Sequence, residues 1–145
     1  MLVQAGAHKR KPNGILGTLC RELFPGLVMH AGNLEPAYTW DHYIAVPDAE
    51  DREGRSFGNK ARRVVGEFWD FFRCEPGYEA IAAQVADTAC RKLVKDMHYE
   101  ARVQAVITYC ADVEKRKVGK DVARNMFLTR EQYLRVNDEI TTHFF

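Results

Sequence analysis

Apolar residues recur at three- and four-residue spacing along Tyr78–Val113, the longest such run without a Gly or Pro. Tyr78, Ile81, Ala82, Val85, Ala89 and Leu93 form a first track, and Tyr99, Val103, Val106, Ile107 and Cys110 a second. That spacing lines one face of a helix. Glu79 stands in the first turn and Arg91, Lys92 and Lys95 follow later, the order a helix dipole favours. Asp87 and Arg91 make a well-oriented pair four residues apart. Globular helices usually run about 8 to 20 residues, so the pattern predicts a break or kink near Lys95 to Met97.

Shorter amphipathic stretches surround this one. Asn13-Gly14 introduces Ile15, Leu16, Leu19, Cys20, Leu23 and Phe24, a helical stripe that Pro25-Gly26 ends. Leu27 to Pro36 mixes Gly, Pro and polar residues, which predicts irregular or short extended backbone. Thr39 is placed to cap a single turn carrying Trp40 and Tyr43 as core plugs. Phe57, Ala61, Val64, Val65, Phe68, Trp69 and Phe72 predict an aromatic-rich helix, closed by Cys74, Pro76 and Gly77. After a basic turn, Val122, Met126 and Phe127 predict another short helix or a packed strand. Thr129 with Gln132 matches a capping box, opening a last helix that carries Tyr133, Leu134 and Val136. The pattern as a whole predicts an all-α domain of at least four helices built on the segment 78–113. Its organisation is a mobile basic arm over 1–12, one helical domain over 13–136 and a divergent tail over 137–145. An acidic loop over 47–56 is too charged to bury.

Composition supports a packed core and narrows the partners. The 145 residues are 46% hydrophobic and 11% aromatic, enough for one domain. Net charge is +1, so any basic surface is local rather than global. The four cysteines, Cys20, Cys74, Cys90 and Cys110, are widely spaced and read as reduced thiols acting as small hydrophobes in an intracellular protein. There is no signal peptide, and no apolar run approaches the roughly 20 residues that a membrane helix needs.

The chain lacks phosphate-binding glycine loops, nucleophile elbows and zinc-protease helices. His98 shares a helical face with Arg102, but a histidine beside Tyr99 on a helix surface needs no function. Asp87, Asp96 and Asp112 lie on one segment, whereas acidic metal sites gather residues from separate elements. The loop carboxylates Asp48, Glu50, Asp51 and Glu53 lack calcium-loop spacing. These patterns predict no catalytic residues, no metal and no cofactor.

Charge and apolar clusters predict association instead. Lys115, Arg116, Lys117, Lys120 and Arg124 form a basic turn suited to nucleic acid or an acidic partner. Lys60, Arg62 and Arg63 crowd the start of a helix, against its dipole; they are compensated by the acidic loop or form a second basic patch. Lys9, Arg10 and Lys11 are a nuclear-import candidate. The stripe Ile15, Leu16, Leu19, Leu23 and Phe24 either folds back on the aromatic helix or serves as an association surface for a homodimer.

Two motifs, Met97-His98-Tyr99-Glu100-Ala101-Arg102 and Leu128-Thr129-Arg130-Glu131-Gln132-Tyr133-Leu134, lie within a segment running from FWDFFRCEPGYEA to GKDVARNMFLTREQYLRV. That segment resembles the domain of plant transposon-encoded proteins of the Ptta/En/Spm transposase type. The stretches PNGILGTLCRELFPGLV and PAYTWDHY resemble its N-terminal extension, so the likeness runs from about Pro12 to Val136. The sequence departs from the pattern at Asn137, as in a truncated or re-spliced copy. The resemblance implies a non-catalytic, transposon-derived plant module in the nucleus, binding DNA weakly and unspecifically or binding a protein partner. A domesticated host factor in defence or reproduction, acting by protein contacts alone, is the alternative; nuclease or transposase activity ranks last. No membrane is implied.

Overall fold

The computed structural model describes residues 2–4, 11–51 and 53–136. Of the described residues, helix makes up 54% and strand 11%, so the fold is mixed α/β and corrects the all-α expectation. The chain forms two compact units, residues 1–95 and 96–145. Lys9 and Arg10, and the tail from Asn137, lie outside the described residues.

In the first unit, β1 (Leu2–Gln4) belongs to the stretch expected as an arm, and pairs antiparallel with β4 (Phe72–Cys74). Helix α1 (Pro12–Glu22) starts on Pro12, whose missing N–H costs nothing in a first turn. Strands β2 (Leu27–His30) and β3 (Asn33–Pro36) make an antiparallel hairpin where irregular backbone was the first alternative. Its two-residue turn holds Ala31 at φ 50° and Gly32 at φ 81°, the positive pair that matches the twist of flanking strands. Extended segments bounded by such a turn must satisfy their backbone groups across a ladder, which is why strands appear here.

Helix α2 (Trp40–Ala45) is the expected single turn, with Trp40 and Tyr43 buried. The Thr39 hydroxyl does not cap it, being engaged with His42 instead. Helix α3 (Lys60–Phe68) is shorter than predicted at both ends. Asn59 caps it by accepting from Arg62 N at 2.8 Å. Beyond Phe68 the chain turns, and Phe72 already belongs to β4. Periodicity ran past the helix because Phe72 is buried from a strand as well as it would be from a helix.

Helix α4 (Glu79–Asp112) is one element of 34 residues, without the break expected near Lys95 to Met97. In its first half the buried positions are Ala86, Cys90 and Val94. Tyr78, Ile81 and Val85, expected on the core face, are 49%, 60% and 59% exposed. The buried face is therefore rotated away from the predicted track, toward Ala86, Cys90 and Val94; a Cβ added to Gly17 of α1 would meet Leu93 at 3.7 Å, ordinary contact distance.

The first core gathers Ile15, Leu16 and Leu19 with Trp40, Val64 and Phe68, with Leu23 and Phe24 packed against it. Ile15, Leu16 and Leu19 of the α1 stripe are thus buried within their own unit, and Leu23 and Phe24 are partly buried there. A short helix gains more by burying such a stripe in its own unit, where no association entropy is lost. Gly66 lies under Phe57: a Cβ added there would stand 2.2 Å from the ring. Gly66→Ala is expected to lower stability by about 1–3 kcal/mol through overpacking, as read from urea unfolding. Replacing Phe57 by Leu in the same chain should recover part of that loss.

The second unit packs Val103, Val106 and Cys110 on Val118 and Ala123, and Ala105 and Tyr109 on Val136. Helix α5 (Lys120–Ala123) is a single turn, and α6 (Arg130–Leu134) opens with the predicted capping box in both directions. Arg102 donates to Met126 O at 2.7 Å and Arg124 O at 3.1 Å, and stacks on Phe127. The residue that shares a face with His98 therefore serves as a structural clamp.

Candidate functional site

The basic turn is built where α4 ends. Arg116 N bonds Cys110 O at 3.0 Å and Lys115 adopts φ 55°, so the chain reverses tightly and exposes 115–117. Arg116 is paired with Glu114 at 2.6 Å, and that hydrogen bond holds its guanidinium above the ordinary value. Lys120 reaches Glu100 at 3.5 Å and Arg124 reaches Asp121 at 3.6 Å. Lys115 and Lys117 are exposed with no ion pair among the described residues. They border a shallow depression floored by Ile107, Ala111 and Val118. Of the five cations expected here, three are locally compensated and two present free charge among the described residues.

The second basic cluster is largely spent inside the first unit. Lys60 Nζ and Arg63 Nη1 each stand 3.2 Å from Asp48 Oδ1, and the Asp48 side chain is fully buried. Burial opposes the Arg63 charge, but the hydrogen bonds and negative charges of Asp48 and Glu67 together outweigh this and raise its pKa. Arg62 remains exposed. The acidic loop thus supplies the compensation that the reversed dipole of α3 requires. Its base is closed by the Pro47–Asn59 bridge, and Arg55 ties it down, bidentate to Asp70 at 2.9 Å and bonded to Asp51 at 2.7 Å. Burial works against ionised Asp51, yet bonds from Arg55 and Glu53 N prevail and lower its pKa.

Two apolar surfaces are exposed in the first unit. Leu16, Trp69, Tyr78, Ile81, Val85 and Ala89 line a groove of about 210 Å³. On the hairpin, Leu27, Met29 and Leu34 are 57%, 63% and 61% exposed.

The opposite face of the hairpin holds a cluster that sequence reasoning missed. Val28, His30, Asn33 and Glu35 share that face by the ladder register. His42 of α2, 1% exposed, meets it: Nε2 lies 2.8 Å from Glu35 Oε1, while Nδ1 lies 2.6 Å from Thr39 Oγ1. His30 Nδ1 lies 3.4 Å from the same Glu35 oxygen. The only linear signal was a His, Glu and His within thirteen positions, a spacing that belongs to no standard motif. The cysteines form no such group. All four are free thiols, and a hydrogen bond with Cys20 and then burial push the Cys90 thiol up, away from reactivity.

Comparison with known proteins gives one informative likeness. Over 124 residues, 81% of this chain, it is 29% identical to the autonomous transposable element EN-1 mosaic protein of Zea mays. The chain spans 18% of that protein's length. The similarity supports a transposon-related origin. No family model matches the chain, and no solved structure matches it. None of the helices is long and apolar enough to cross a membrane, among the described residues.

Proposed function

We propose that this chain is a non-catalytic module of a transposon-derived plant protein, acting in the nucleus by weak, sequence-unspecific association with nucleic acid. The observation that carries this reading is the basic turn, where Lys115 and Lys117 are exposed and, among the described residues, unpaired beside Arg116. Phosphate contacts of that kind supply affinity without reading bases. Their small number, with acidic residues among them, keeps the affinity low. Lys9, Arg10 and Lys11 are the import signal in this reading.

Charge reversal of Lys115, Arg116 and Lys117 tests it by fluorescence anisotropy with duplex DNA at several salt concentrations. Each phosphate contact contributes close to one unit to the slope of log affinity against log salt. The triple variant is expected to bind more weakly and to lose about 2–3 units of slope. Unchanged affinity and unchanged slope would remove the turn from the interface.

A second reading, a domesticated host factor working through protein contacts, is favoured by the exposed Tyr78, Ile81 and Val85 along one groove. A partner that stays bound at high salt and after nuclease treatment would favour it.

A further inference from the structure

We propose that His30, Glu35 and His42 form a zinc-binding site that joins the β2–β3 hairpin to α2. The three donors come from three separate strand and helix elements, and one potential ligand atom from each lies within 4.8 Å of the others. Two imidazoles and a carboxylate suit zinc in chemistry and number, leaving a fourth position for water.

The distances are close to those of a loaded site. At zinc–ligand lengths near 2.0–2.1 Å, tetrahedral neighbours stand about 3.3 Å apart. His30 Nδ1 and Glu35 Oε1 are 3.4 Å apart, and His42 Nε2 and Glu35 Oε1 are 2.8 Å apart. Binding therefore opens the second pair by about half an ångström and draws the two imidazoles together. Their rings already lie with centroids 4.5 Å apart. His30 is 36% exposed in its side chain and Glu35 27%, so the moving partners are those nearest solvent while buried His42 stays fixed.

The Thr39 hydroxyl holds the His42 ring in place and, as donor or acceptor, serves either tautomer. Without metal, Nε2–H of His42 donates to Glu35 Oε1 at 2.8 Å and Nδ1 accepts from the Thr39 hydroxyl at 2.6 Å; zinc at Nε2 takes the tautomer protonated at Nδ1, whose N–H then donates to Thr39 Oγ1. Outer hydrogen bonds of this kind orient metal-ligating histidines. Thr39 is accordingly a positioning residue, which accounts for its failure to cap α2.

The hairpin's polarity points the same way. It turns Leu27, Met29 and Leu34 outward and its His30 and Glu35 toward α2, the reverse of what apolar burial alone favours. A ligand gathered on the inner face compensates for that inversion.

The test titrates the full chain with zinc sulfate against a chromophoric chelator, with cobalt substitution reporting the coordination geometry. One equivalent is expected to bind, with an intense tetrahedral cobalt spectrum and a raised melting temperature. His30→Ala and Glu35→Gln should each weaken binding by about 100-fold, the upper end of what even outer-shell losses cost. Thr39→Val should weaken it about 10-fold. His30→Ala removes a half-exposed ring, and Glu35→Gln keeps a hydrogen-bonding group for His42, so both are expected to fold, as tryptophan fluorescence would verify. Absence of stoichiometric binding, equal affinity in folded His30→Ala, or loss of binding on Cys74→Ser instead would each overturn the site.

Discussion

Phe68→Ala is expected to cost the first unit about 3–5 kcal/mol, the usual range for emptying a buried phenylalanine site. Phe68 is 1% exposed and closes the last turn of α3. Its ring stacks on Phe72 at 4.9 Å and meets Trp69 edge-on at 5.1 Å. The loss therefore combines transfer free energy with a cavity among rings that cannot collapse freely, because Phe72 is fixed by the β1–β4 ladder. Both tryptophans of the chain, Trp40 and Trp69, lie in this unit, so their fluorescence during urea unfolding follows it without contribution from the second. A shift in midpoint equivalent to less than about 1 kcal/mol would mean that the site collapses or is not packed as described.

Asp48→Ala is expected to cost about 3 kcal/mol, the low end of the range for removing one partner of a buried ion pair. The penalty comes from what remains: Lys60 and Arg63 would face each other without the carboxylate that now stands 3.2 Å from both. Their side chains keep 23% and 17% exposure, so water relieves part of the cost and the upper end of the range is not reached. Two cations in the first turn of α3 would also oppose its dipole. Adding Lys60→Met and Arg63→Met to Asp48→Ala should recover much of the loss, since the stranded charges are then gone. If the triple variant is no more stable than Asp48→Ala alone, the effect belongs to the loop backbone and not to the charges.

Local signals were legible where neighbours in sequence are neighbours in space. The Thr129–Gln132 capping box and the Asp87–Arg91 pair at 3.0 Å form as their spacing predicts. The buried Trp40 and Tyr43 follow from their bulk. The choice between a compensated cluster and an open patch at Lys60 and Arg63 was not legible, because Asp48 lies twelve and fifteen positions away and only closure of the loop on the Pro47–Asn59 bridge delivers it. The α1 stripe was equally ambiguous: a helical face says that something covers it, never what.

The sequence by itself determined where most helices lie and the Thr129–Gln132 capping box, because helical periodicity and capping act within a few residues. Tertiary structure alone decided three things. It chose which face of α4 is buried, turning Ala86, Cys90 and Val94 inward and leaving Ile81 and Val85 exposed, because the elements that pack against a helix, and not its own stripe, decide which face is covered. It turned Leu27–Pro36 into a hairpin, since strand pairing depends on a partner and a turn rather than on local propensity. And it brought His30, Glu35 and His42 together, a convergence written in the register of two strands and the placement of α2 that no linear spacing records.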